Sequence, residues 1–159
     1  MKLRLLMIAI LYIAMLTGGF GLLSVNSNLL LDLRLFVSSG EFHELIAAQV
    51  SEGLSSYLWF HGLDYLFIVL FYPFLRSLVL KAAMGGRLSI VGGGAAVLAG
   101  LFDLIENVGV DWALLSYPRL PSWIATMVPI ATLLKFLGIL VALIIVLLAL
   151  PKRLSRTLE

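Results

Sequence analysis

The stretch Ala99-Gly-Leu-Phe-Asp-Leu-Ile-Glu-Asn-Val108 lies inside an apolar run from Leu88 to Leu115, and it carries Asp103, Glu106 and Asn107. A run of that length crosses the hydrocarbon core of a bilayer as a helix, for which about 20 residues suffice. A charged side chain near the bilayer centre costs about 2.5–3.5 kcal/mol on insertion scales, so a spanning helix with two carboxylates turns them toward protein, water or a ligand. Positions 103, 106 and 107 share one helical face. Gly92, Ala96, Ala99 or Gly100, and Asp103 follow one another at helical spacing. Such a small-residue stripe lets neighbouring membrane helices touch. The expected fold is therefore an all-α integral membrane bundle with a polar seam.

Working outward, the composition agrees. Of 159 residues 62% are hydrophobic and 13% charged, and the mean hydropathy is +1.10. A soluble domain of this size does not carry such a surface. Three further apolar runs, Leu5–Leu23, Ser56–Leu80 and Trp123–Leu150, are also of spanning length, so four transmembrane helices in one membrane domain (residues 1–159) are expected. Lys2 and Arg4 before the first run give it the look of a signal peptide, but its apolar core is long and no A-x-A site follows. The sequence has no cysteine, which excludes disulfides and thiolate chemistry and is silent about redox compartment.

Basic residues mark orientation, because cytoplasmic ends collect Lys and Arg. Lys2 and Arg4 precede the first span, Arg76, Lys81 and Arg87 flank the connection between the second and third, and Lys152, Arg153 and Arg156 follow the fourth. Both termini are thus expected in the cytoplasm, with a bacterial inner membrane as the expected site. The net charge of +2 reflects this topology, and no basic, aromatic-bearing surface for nucleic acid is present.

The connection over residues 24–55 is the only sizeable segment expected outside the membrane. Leu31–Phe36 alternates with period two, as an extended segment would. From Glu41, apolar residues Phe42, Leu45, Ile46, Val50 and Leu54 recur at three- and four-residue spacing, predicting an amphipathic helix in the outer interface, a lid over the bundle. Ser38-Ser39-Gly40 supplies its cap and turn. The second span then opens on aromatic residues, places His61 and Asp64 on one face, and contains Pro73, which predicts a kink. Gly85-Gly86 makes the next turn, and the fourth span is apolar apart from Thr126, Thr132 and Lys135.

At a rise of 1.5 Å per residue, Asp64 and Glu106 lie ~13 Å from the outer ends of their helices, Asp103 and Lys135 ~18 Å, and His61 ~9 Å. Three helices present ionisable groups at similar depth. One reading is mutual neutralisation, with Lys135 paired to Asp103 or Glu106, another carboxylate protonated and Asn107 completing the hydrogen bonds. The other is function, since intramembrane ionisable groups mark binding and proton pathways. No nucleophile motif accompanies His61, and a histidine-rich metal site would need His43 from the outer connection as well. No metal and no cofactor are expected. What remains is a pocket that binds a polar-headed lipophilic molecule or moves protons to and from it.

Four helices with cytoplasmic ends, Asp32-Leu33 early in the outer connection, and Asp64 in an aromatic-rich second helix with Pro73 near its end resemble the EXPERA group, the sigma-2 receptor and emopamil-binding proteins. The resemblance covers most of the chain as architecture. It implies a lipid-accessible pocket for sterols and amphiphilic amines, with Asp32 and Asp64 as the amine-facing acids, and isomerisation by proton transfer in some members. Asp103-Leu-Ile-Glu-Asn107 has no counterpart there and is similar to a stretch in small bacterial four-helix membrane proteins. The expected site is accordingly Asp64, Glu106 and His61 for proton transfer, with Asp32, Asp64, Asp103, Glu106, Asn107 and Lys135 around the ligand. Membrane lipids or a small lipophilic molecule are the expected partners. An oligomeric proton-coupled transporter or channel, or a structural partner protein, is the rival.

Overall fold

Ser38 starts the longest helix of the chain. Its Oγ accepts a hydrogen bond from the Glu41 N–H at 3.3 Å, and its carbonyl accepts one from the Phe42 N–H at 2.9 Å, the cap expected of a serine before a helical run. Arg34 pairs with Glu41 at 2.7 Å beside this cap. This computed structural model describes residues 2–14, 34 and 37–156. Its elements are α1 (Lys2–Ala14), α2 (Ser39–Ala83), α3 (Gly86–Ser116) and α4 (Ile124–Arg156), with no strand among the described residues.

The largest departure from the sequence reading is α2. The amphipathic segment after Glu41 and the second span form one uninterrupted helix of 45 residues, ~67 Å long, rather than a separate interfacial lid followed by a helix beginning near Ser56. The reason is register. Phe42, Leu45, Ile46, Gln49, Tyr57, Phe60, His61 and Asp64 are all buried and continue one stripe at helical spacing, while Ser55-Ser56 offers no proline or positive φ to end it. Phe42 and Ile46 are fully enclosed, so this segment packs as core. Pro73 likewise sits inside the continuous helix. The Ser77 hydroxyl donates to the Pro73 carbonyl at 2.7 Å.

α2 stops at a left-handed turn: Met84, Gly85 and Gly86 have φ of 49°, 92° and 76°. Two successive glycines take these values without a Cβ penalty, as the Gly85-Gly86 pair predicts.

Among the described residues, three stretches are long and apolar enough to cross a membrane: Tyr57–Ala83, Gly86–Ser116 and Ile124–Ala149. α1 has 13 described residues, short of spanning length. The remainder of the expected first span, and the start of the connection after it with Asp32, lie outside the described residues. α1 packs on α2, and α3 packs on both α2 and α4.

Close backbone approaches hold α3 in place. A Cβ on Gly92 would meet Val79 at 2.7 Å and one on Gly100 would meet the Tyr72 ring at 2.9 Å; across the other seam, a Cβ on Gly109 would meet Val128 at 2.6 Å and one on Gly138 the Ala95 carbonyl at 2.9 Å. Two apolar cores result. One gathers Phe42, Ile46, Phe60, Val110, Leu114, Ile124 and Val128; the other gathers Ile68, Leu75, Val79, Ala96, Ala99, Ala142 and Ile145. Between them on every long helix lies a polar layer.

Candidate functional site

That layer is built by one helical turn or two from each of three helices. α2 contributes His61 and Asp64, α3 contributes Asp103, Glu106 and Asn107, and α4 contributes Thr132 and Lys135, all of them buried. The small residues of α3 explain why the layer can close. Gly109 and Gly138 bring α3 and α4 together on either side of it, which sets Thr132 and Lys135 directly opposite Glu106 and Asp103. Gly100 admits the Tyr72 ring from α2, and this places the phenol against Asp103.

Lys135 serves two acids. Its Nζ lies 2.9 Å from Asp103 Oδ1 and also contacts Glu106 Oε2. Tyr72 donates its hydroxyl proton to Asp103 Oδ2 at 2.8 Å, so both oxygens of Asp103 are engaged. Thr132 Oγ1 is 2.8 Å from Glu106 Oε1 and 3.0 Å from the Val128 carbonyl. Asn107 donates from Nδ2 to Asp64 Oδ2. A lysine shared by two carboxylates holds helix register, and losing it would leave uncompensated charge in an apolar interior. Yet three carboxylates against one ammonium leave two acids in excess.

A second cluster stands next to the first. His61 Nδ1 is 2.9 Å from Asp111 Oδ1, and Tyr65 donates to Asp111 Oδ2 at 2.7 Å. The Tyr57 ring lies 4.5 Å from the His61 ring.

The sequence-derived residues Asp64, Asp103, Glu106, Asn107 and Lys135 thus fall into one buried layer, Lys135 with Asp103 and Glu106, and Asn107 with Asp64, and His61 sits one turn from Asp64 on the same face of α2. Asp32 lies outside the described residues. Sequence reasoning gave no role to Asp111, Tyr65, Tyr72 or Thr132. Helical spacing carried the signal for two of them: Tyr65 is four residues from His61, and Asp111 four from Asn107. For Tyr72 and Thr132 only the packing of the helices reveals the partner.

The expected acid-lined pocket takes a different form. The carboxylates turn toward protein partners, and a cavity of about 670 Å³ lies along the α3–α4 seam instead, lined by Phe102, Ile105, Trp123, Thr126, Met127, Ile130 and Ala131. It is open and almost wholly apolar. Ile105 and Ala131 in its wall directly precede Glu106 and Thr132 in the chain, so the groove and the Glu106–Thr132 contact share one seam. Among the described residues no group of three or more His, Cys, Asp or Glu side chains is arranged to hold a metal ion. The chain matches no protein-family model, and no curated protein or solved structure matches it.

Proposed function

We propose that this is an integral membrane protein that binds a lipid or lipophilic amphiphile along the α3–α4 seam and exchanges protons through the buried acidic network, the chemistry that proton-transfer isomerisation of a lipid-like substrate would need. The observation that carries the reading is the double contact of Thr132. A hydroxyl has one proton to donate. When it goes to Glu106, the carboxylate accepts; when it goes to the Val128 carbonyl, a protonated Glu106 can donate to Thr132 instead. Glu106 can therefore hold or release a proton without changing partners, and the apolar groove lies just beyond the same contact.

In this reading four spans cross the membrane with both termini in the cytoplasm, in a bacterial inner membrane. Exposed aromatic residues support the depth. Trp59, Trp112 and Trp123 are exposed, and Trp112 and Trp123 meet edge to face at 5.6 Å. Tryptophans of this kind anchor at the membrane–water boundary. From Trp59 to Lys81 is ~33 Å along α2, close to the hydrocarbon thickness of about 30 Å. Asp64 then lies ~8 Å and Asp103 ~13 Å inside that boundary. The EXPERA-like layout points to the same class of ligand, with Asp64 as the acid common to both arguments.

The test is native mass spectrometry of the purified wild type beside Asp64→Asn/Glu106→Gln and beside a groove-filling Ala131→Leu variant. A lipophilic molecule retained by the wild type and lost from both variants is the expected result. Equal retention by all three would overturn the proposal.

The enclosure of the carboxylates favours a second reading, an oligomeric proton-coupled transporter, because buried and fully partnered acids suit proton storage without a bound ligand. A dimer in mild detergent that holds no lipophilic molecule would select it over the first.

A further inference from the structure

Asp111 is the most exposed of the acids gathered here. Its side chain is 23% exposed, whereas that of His61 beside it is 1% exposed. It stands next to Trp112, at the boundary end of α3, and Asp64, Asn107 and Glu106 follow at successively deeper levels. We propose that Asp111 and His61 form the port through which protons enter and leave the buried network. The inference rests on the proton-exchange reading and adds its route.

The geometry supplies the entrance to this route. Asp111 meets the aqueous side, and Tyr65 fixes its carboxylate through Oδ2, leaving Oδ1 to His61 Nδ1. The Tyr57 ring from α2 and the Asp111 carboxylate from α3 meet the imidazole, with Asp64 one turn further along α2. A proton arriving on Asp111 passes to Nδ1, the ring becomes imidazolium, and the proton on Nε2 leaves for the carboxylate of Asp64. One O–H bond breaks, one forms, and no electrons are transferred. Loading leaves the ring proton on Nδ1; unloading runs the steps backward and restores it to Nε2. Histidine is the side chain able to do both near neutral pH.

Asn107 carries the independent observation. Its Nδ2 holds Asp64, while its Oδ1, on a fully buried side chain, accepts no hydrogen bond from a described residue. Buried acceptors of this kind take a water molecule or a donated proton. The acceptor stands beside Asp64, where the relay delivers.

The experiment is infrared spectroscopy of the full chain in proteoliposomes, following the carboxylic-acid C=O band after a downward pH jump. In the wild type the band grows quickly. In Asp111→Asn and in His61→Gln, the latter keeping a donor for Asp111, it reaches the same amplitude about a hundredfold more slowly, the low end of what a positioned proton-transfer group contributes. Asp111→Glu restores the wild-type rate. Glu106→Gln lowers the amplitude. A wild type without any band would overturn the proton-exchange reading itself. A band that grows at the wild-type rate in folded Asp111→Asn and His61→Gln would overturn the port alone.

Discussion

Lys135 Nζ lies 2.9 Å from Asp103 Oδ1, and the two side chains are only 7% and 6% exposed. The same ammonium contacts Glu106, so a single cation from α4 ties two successive turns of α3 to it. Lys135→Met removes the only lysine of the layer and leaves two acids facing each other in an apolar interior. The expected loss is about 3–5 kcal/mol, read from denaturant titration in mixed micelles. Lys135→Met/Asp103→Asn should recover part of it, since the second change removes one of the stranded charges.

Asn107→Ala tests whether the Asp64 contact holds α2 to α3. A hydrogen bond between membrane helices is worth about 1–2 kcal/mol in model peptides. A cycle of Asn107→Ala and Asp64→Ala should give a coupling of that order. Additive effects of the two changes would mean that the contact contributes nothing measurable.

The glycines of α3 are not equivalent. A Cβ at Gly100 would lie 2.9–3.0 Å from three atoms of Tyr72, whereas nothing lies within 4 Å of one at Gly94. Gly100→Ala should therefore push the ring away from Asp103 and destabilise by about 1–3 kcal/mol. Gly94→Ala should stabilise by about 0.5–1 kcal/mol, because only backbone entropy changes. Thermal or denaturant unfolding of the two variants side by side decides the matter.

The groove makes a spectroscopic prediction. Trp59→Phe/Trp112→Phe leaves Trp123, on the groove wall, as the one tryptophan of the three in the chain. Lipids with brominated chains should quench its fluorescence strongly, and Ala131→Leu added to that background should reduce the quenching. Identical quenching with and without the added leucine would show that chains do not enter the groove.

Much of the architecture was legible because it follows from local physics. The apolar runs at Ser56–Leu80, Leu88–Leu115 and Trp123–Leu150 correspond to long helices, since a backbone without water must bond within its own segment. Ser38 caps and Gly85-Gly86 turns for reasons contained in a few adjacent residues. Asp64, Asp103, Glu106, Asn107 and Lys135 stood out because charge is costly among apolar neighbours. The fusion of the amphipathic segment with the second span was harder to see, because Ser55-Ser56 reads as a boundary by polarity while the helix runs through it and the buried face resumes at Tyr57.

The sequence by itself determined that the apolar runs form helices and that an acidic face needs partners, because periodicity and charge are properties of a single segment. Which partners meet was decided only by the tertiary structure. Gly109 and Gly138 set how closely α3 approaches α4, and that spacing gives Lys135 to both Asp103 and Glu106. Gly100 seats Tyr72 on Asp103. The crossing of α2 with α3 brings Asp111 to His61, fifty residues apart in the chain, a pairing that depends on the rotation of two helices about their axes and therefore on the packing of every residue between them.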